Sequence, residues 1–400
     1  MDFHSRRQYL MGLREEYLKA TKKEKTRLLN EYTKNTGHNR KYVIAMLNAD
    51  SVWTNNGARK LRPKRYGPEI NAPLVKLWGI FDFPCGQRFK PCLTEELERL
   101  RAFGEIHISD KIAKQLKQIS SATIDRRLKV PRQRERRRRF STTRPGSLLK
   151  KKIPIRLTDW DTQKLGFLEV DLVAHCGGSA RGDFLNTVSL TEIATGWWEG
   201  EAIMGKGQKV TLEAIKLMRR RTPFNWRGLD SDNGSEFINY PLSDYCREEK
   251  LIFTRSRENK KNDNAYVEQK NWTHVRKILG YFRYDTLREQ TIINALYRHE
   301  LRLYKNFFQP VMKLAEKTRL GSKKHRRYEP AKTPFKRAIE SNQTDEATKK
   351  ELKSAYRQLN PAALKRAIER KTLMLYQAYR AKKQGKTRLI PELETEVVYG

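Results

Sequence analysis

The 400-residue sequence is short of acidic residues and of cysteine. Its 46 Asp and Glu stand against 84 Lys and Arg, a formal net charge of +38. Such a field excludes a cationic partner and favours a polyanion. Nucleic acid comes first, with a ribosomal surface or an anionic lipid surface as competing readings. No run of about 20 apolar residues exists to span a bilayer, and MDFHSRRQYL at the amino terminus has no apolar core or small-residue cleavage site, so no secretory signal is expected. The four cysteines, Cys85, Cys92, Cys176 and Cys246, are irregularly spaced and form no CxxC pair. That excludes a disulfide scaffold and a zinc knuckle and leaves four free thiols. What is present, 38% hydrophobic and 32% charged residues, suits a folded chain. A soft prior of about 100 to 200 residues per domain suggests two to four domains.

The first motif is helical. Leu28, Leu29 and Tyr32 lie on one face of a helix over 24–34, Thr36-Gly37-His38 breaks it, and Val43, Ile44 and Leu47 mark a second helix. In a DNA-binding helix-turn-helix the second helix offers its first polar residues to the major groove, here Asn39, Arg40 and Lys41. Any basic helical hairpin shows the same pattern, and the net charge tips the reading toward DNA.

A second such unit follows. A helix is expected from Thr94 to about Phe103, another from Ser109-Asp110 to Ile119, and a third opened by Ser120-Ser121. The third carries Thr123, Arg126 and Arg127 as a reading head, over a small core of Ile112, Leu116, Ile124 and Leu128. Residues 126–152 then hold thirteen Lys or Arg, including Arg136, Arg137, Arg138 and Arg139, against the single acid Glu135. Like charges so dense repel each other, and Pro131, Pro145 and Gly146 fit an extended basic linker. Contacts from such a tract go to phosphates and supply affinity with little specificity.

Beyond the linker the pattern turns to strands over 167–175, 184–195 and 196–204, a helix over 210–221, a strand over 227–231, a helix over 235–250 and a strand over 251–255. Three adjacent strands followed by alternating helices and strands predict a mixed sheet with helices on its faces.

Three acids stand out in this segment. Asp171 interrupts the apolar run Leu168-Glu169-Val170-Asp171-Leu172-Val173, where an ionised carboxylate requires a partner or a metal. A structural ion pair would also satisfy it, and alternation puts Glu169 on the same face as an alternative or auxiliary acid. Asp232 follows a short strand and precedes Asn233-Gly234, at the carboxyl edge where ligands of α/β folds collect. Asp230 competes with it, and an Asp before Asn-Gly can be a mere turn former. Glu268 opens a helix in NAYVEQKNW, 35 residues after Asp232 (268 − 232 − 1).

FLEVDLVAH, LDSDNGSEFIN and NAYVEQKNW with that spacing resemble the catalytic core shared by retroviral integrases and bacterial insertion-sequence DDE transposases. NFFQPVMKL from Asn306 and YEPAKTPFKR from Tyr328 resemble the tail that follows it in the insertion-sequence enzymes. The resemblance covers roughly residues 160 to 340. It implies an α/β ribonuclease-H-like fold in which Asp171, Asp232 and Glu268 are both catalytic and metal-binding. The seven scattered His offer no zinc module of the retroviral kind, which favours a bacterial mobile element working in the cytoplasm at the nucleoid. Where integrases commonly carry a Lys four residues past the Glu, this chain has Trp272, with Lys270 and Arg276 as substitute DNA contacts.

Hard carboxylate oxygens suit Mg2+, with Mn2+ as a possible substitute. Two such ions about 4 Å apart would serve in-line displacement at phosphorus, with Asp171 bridging them. The expected multidomain organisation is an all-α helix-turn-helix domain at 1–62, a second at 63–130, a basic linker at 131–160, the integrase-type core at 161–290 and a helical basic region at 291–400. In the last, Leu352, Tyr356, Leu359, Leu364, Ile368, Leu373 and Tyr376 are expected in core or subunit contacts. The expected partner is double-stranded DNA, as element ends and as target, bound by a homo-oligomer without membrane association. A DNA-binding regulator that has kept a silent core, and a nuclease that cuts without joining, are the alternatives.

Overall fold

The computed structural model describes residues 1–49, 65–134, 164–232, 234–256, 265–320 and 323–385. The arginine tract 136–139, Pro145, Gly146 and Asn233 lie outside the described residues. Contacts divide the chain into two compact units, Met1–Arg65 and Tyr66–Gly400.

The first unit is three helices, α1 (Phe3–Lys19), α2 (Lys22–Thr36) and α3 (Arg40–Asn48). Thr21 and Glu24 form a capping box at the start of α2, Gly37 ends it in the left-handed conformation (φ 71°), and the Asn39 side chain caps α3 by accepting from Lys41 N. Gly takes that φ without steric penalty, which fixes the turn between the two helices. Leu28, Leu29, Tyr32, Val43 and Leu47 are buried as the periodicity predicts, joined by Leu10, Leu13 and Tyr17 of α1, a helix the pattern had not revealed.

The second unit begins with α4 (Asn71–Ile80), α5 (Gly86–Ala102), α6 (Asp110–Gln118), α7 (Ser121–Arg127) and α8 (Lys129–Arg134). Ser109 caps α6 and Ser120 caps α7, as expected. The expected helix from Thr94 is corrected: it starts eight residues earlier, at Gly86. Pro91 lies inside this helix, in its second turn, where its missing N–H costs one intrahelical bond.

The sheet is five-stranded, in the order β3 (Trp198–Met204), β2 (Leu185–Glu192), β1 (Phe167–Ala174), β4 (Gly228–Ser231), β5 (Ile252–Arg255). β1 pairs antiparallel with β2 and parallel with β4. α9 (Gln208–Arg221) and α10 (Tyr240–Glu248) cover the face formed by Leu168, Val170, Val188, Leu190 and Leu229. α10 is shorter than expected, because residues 235–239 form turns and Asn239 caps the helix by accepting from Leu242 N.

After the sheet come α11 (Ala265–Lys270), which runs on through a π-helical stretch Asn271–Arg276 and a last turn Lys277–Leu279, then α12 (Leu287–Leu296) and α13 (Arg302–Phe308). A β-hairpin, β6 (Leu314–Leu320) and β7 (Lys323–Tyr328), precedes α14 (Pro334–Glu340), α15 (Glu346–Gln358) and α16 (Pro361–Lys383). The hairpin adds two strands within the region 291–400 that was expected as helical and basic. Leu352, Leu359, Leu364 and Ile368 are core residues, whereas Leu373 and Tyr376 stay exposed.

One hydrophobic core joins Leu74, Trp78, Phe89, Leu97, Leu116, Ile124 and Leu128 to Val173 and Trp198 of the sheet and to Tyr297, Phe308, Leu364 and Leu375. The segment expected as a domain at 63–130 therefore shares its core with the sheet unit. The four cysteines are free. Among the described residues no helix is long and apolar enough to cross a membrane.

Candidate active site

Alternation along β1 sends Leu168 and Val170 into the core beneath α9 and α10 and leaves Glu169 and Asp171 on the opposite face. That face meets α11, the helix of Glu268. Glu169 is fully buried, and its Oε2 accepts from the backbone N–H groups of Tyr266 and Val267, both at 3.0 Å. Those N–H groups open the helix and have no intrahelical acceptor, so a carboxylate there satisfies two donors and the helix dipole together. Two residues along the strand, Asp171 Oδ2 accepts from Asn271 Nδ2 at 2.5 Å. The spacings match, since four to five helical residues rise about 7 Å and two strand residues span about 6.6 Å. Glu268 sits between these two attachments, on an exposed position of α11.

Asp232 reaches the same place from β4. Val170 is paired with Ser231 in the parallel ladder, so the next residues, Asp171 and Asp232, come side by side at the carboxyl edge of β4. Its Oδ1 accepts from Gly234 N at 3.0 Å, which shapes the turn after the strand. Asp230 is fully buried and accepts a hydrogen bond from Thr254 Oγ1 of β5. It lies inside the sheet, paired in register with Glu169, and away from the edge.

Burial, the nearby Asp232 carboxylate and, more weakly, Glu268 push the Asp171 carboxyl up to about 7, against the opposing pull of the Leu172 N–H and Asn271. Burial likewise raises Asp232, partly offset by the Gly234 N–H, with Glu236 adding to the rise. Unlike the acids of an ordinary ion pair, the two Asp are held near each other at the end of a sheet with like charge as their neighbour. Among the described residues no three His, Cys, Asp or Glu side chains gather tightly enough to enclose an ion by themselves. The donor set is nonetheless hard oxygen throughout, and Mg2+ is ordinarily held by one or two carboxylates with substrate phosphate and water completing its octahedron. Asp171 and Asp232 fit that requirement, and a cation between them would relieve the repulsion that raises Asp171.

The expected DNA contacts divide. Lys41 and Arg126 are exposed, Asn39 is exposed while capping α3, and Arg40 donates to Asn30. Thr123 accepts from Arg126 at 2.9 Å and is only partly exposed. Arg127 is half-exposed, and its guanidinium donates to Tyr66 O, Gly67 O and Asn71 Oδ1, closing α7 onto the start of the unit. Lys270 is buried. It is 5% exposed, and burial together with Arg88 and Lys305 lowers its ammonium to about 7. Arg276 is half-buried and stacks on Tyr281 at 4.9 Å.

Asn271 is the site residue that sequence reasoning passed over. It stands three positions beyond Glu268, on the same side of the helix, and that spacing was the available signal.

No model of a known protein family matches the chain. The uncharacterized protein y4rM of Sinorhizobium fredii is 36% identical over 338 residues, 83% of this chain and 95% of that protein. Among solved structures, the catalytic core domain of BIV integrase is similar at 14% identity and TM-score 0.28, over 42% of this chain and 91% of its own. The HTLV-2 integrase catalytic core domain in complex with magnesium is similar at 9% identity and TM-score 0.27, over 36% of this chain and 89% of its own.

Proposed function

We propose that this chain, which belongs to the same family as the y4rM protein of Sinorhizobium fredii, is a DDE transposase with a ribonuclease-H-like core that binds the ends of a mobile DNA element, cuts them and joins them to target DNA. The observation that carries this reading is the meeting of Asp171, Asp232 and the helix of Glu268 at one sheet edge, with the Asp171 carboxyl raised by burial first and then by Asp232 and Glu268. A structural ion pair would place a cation there, and none of the ion pairs of the described residues involves Asp171.

Asp171 and Asp232 would hold Mg2+, with Mn2+ as a possible substitute, and Glu268 would complete a second position. When bound, the metal supplies Lewis acidity to the attacking and leaving oxygens of an in-line displacement at phosphorus. The chain's own residues do the positioning. Glu169 fixes the start of α11, Asn271 orients Asp171 through one oxygen, and Gly234 N–H orients Asp232. With water as attacking group the outcome is hydrolysis at the element end, and with the freed 3′-hydroxyl it is strand transfer. The helix-turn-helix of the first unit, through Asn39, Arg40 and Lys41, and the exposed Arg126 of α7 would read the ends. Two ends brought together need two reading heads, so the working form is a homo-oligomer on duplex DNA, at the nucleoid of a bacterial cytoplasm.

The test is strand transfer in magnesium by purified protein, on labelled duplexes taken from the DNA that flanks the gene, with Glu268→Gln alongside. Joined product that disappears in the variant supports the transposase. Cleavage without joining means a nuclease, and tight specific binding without cleavage means a regulator.

A further inference from the structure

The hairpin β6–β7 is the part of the second unit with the least to hold it in place. Its strands pair with each other, and among the described residues neither packs broadly on any other element. Ala315, Glu316, Thr318, His325, Arg326 and Arg327 are exposed, and so are the apolar Leu314 and the ring of Tyr328 at its base. An isolated two-stranded hairpin is marginal at best in water.

Its charge makes this worse. Residues 314–328 contain six Lys or Arg and one acid, Glu316, which pairs with Arg327 at 3.3 Å. The register sets Lys317 opposite Arg326 and Arg319 opposite Lys324. Like charges directly across an antiparallel pair destabilise it. The base, by contrast, is fastened: Val311 and Lys332 bridge, Glu329 N donates to Lys313 O, and Arg337 donates to Glu329 Oε2 and Val311 O. A firmly rooted ribbon whose register puts cationic residues opposite each other would be stabilised by an anion.

We infer that β6–β7 is a DNA-contacting ribbon that lies along duplex DNA and binds its phosphates, an inference that rests on the reading of the chain as a DNA-processing enzyme. A two-stranded ribbon has the width to enter a major groove of about 12 Å, and seven residues of strand extend about 23 Å along it. Cationic strand edges also discourage pairing with another strand, so a second copy of this hairpin is the wrong occupant.

The experiment uses the full chain and a fluorescent duplex, with affinity measured by anisotropy between about 50 and 200 mM salt. Wild type is compared with a triple variant, Lys317→Gln, Lys324→Gln, Arg326→Gln. Each phosphate contact contributes about 0.9 to the slope of log affinity against log salt, so the variant should be shallower by about 2 to 3, with affinity at low salt down by about tenfold or more. In a second, otherwise wild-type protein, a photo-crosslinking residue replaces Thr318 and should couple to the DNA, which tests the ribbon even if the charge variant folds poorly. An unchanged slope, or no crosslink from protein that binds the duplex, overturns the ribbon and leaves the reading of the acids standing. Wild type that neither binds nor cuts duplex DNA overturns both.

Discussion

Asn271 holds Asp171: its side-chain N–H meets Asp171 Oδ2 at 2.5 Å, so the helix carrying Glu268 is bonded directly to the strand carrying the first acid. The bond orients the carboxylate and at the same time favours its charged form. Asn271→Ala should lower the rate of DNA cleavage by about ten- to a hundredfold, in keeping with about 1.5 to 3 kcal/mol for a hydrogen bond to a charged group. Single-turnover cleavage of the labelled duplex measures this. A rate equal to wild type would mean that Asp171 needs no orienting partner.

Glu169 makes a different prediction, because it faces backbone rather than solvent. Glu169→Gln keeps the shape and removes the charge that two helix N–H groups share. We expect a loss of stability of about 1 to 3 kcal/mol, faster proteolysis within residues 265–279, and a lower rate with the same magnesium dependence. A shifted magnesium dependence would make Glu169 a ligand instead of a cap.

Asp82 concerns the last turn of the same helix, through Lys277. Its side chain is 14% exposed and faces Lys277 at 2.7 Å, Lys365 at 3.3 Å and Lys305 at 3.6 Å. Burial raises its carboxyl, and Lys305, Lys365 and Lys277 together more than reverse this and hold it well below the usual range. A depressed folded-state value means that the unfolded chain takes up the proton first. The stabilisation is therefore complete above about pH 4, the unfolded value, and fades as pH falls further toward the folded one. Asp82→Asn should cost about 3 to 5 kcal/mol at pH 7, the penalty for leaving buried cations unpaired. The deficit should narrow in denaturation curves taken below pH 4. Asn is a fair replacement, since position 82 has a φ of 64° and Asn tolerates that region.

Lys270 carries the reverse sign. Burial first, then Arg88 and Lys305, bring its ammonium down to about 7, so the unfolded chain binds the proton more readily. Stability limited by this group rises with pH from about 7 to about 10.4, the unfolded value. Lys270→Met should therefore stabilise the protein by a few kcal/mol at pH 7, with a gain that shrinks toward pH 10. DNA affinity should stay unchanged, and a fall in affinity would restore Lys270 as a DNA contact.

The strands of the sheet were legible because alternation and turn residues mark them; Asp171 stood out because a carboxylate inside an apolar run is expensive, Asp232 by its place after a strand, and Glu268 only by its spacing from Asp232. The helices α2 and α3 of the first unit were legible through their apolar periodicity and the break at Gly37. What stayed hidden depends on neighbours distant in sequence. Lys270 and Arg127 look like any surface cations until α13 and residues 66–71 are packed against them. Glu169 looks like a spare acid until a helix 97 residues later puts its N–H groups over it. The hairpin lacks the β-branched alternation that signals a strand, because most of its residues are charged.

The core shared by residues 70–128 and the sheet also has a geometric consequence. Leu116, Ile124 and Leu128 beneath α7 belong to the same packed interior as Val173 and Trp198. Closely packed interiors transmit displacement instead of absorbing it. A base pair gripped by α7 would thus lie at one set distance from Asp171, and the phosphodiester presented to the acids would be counted off by the body of the protein as by a ruler.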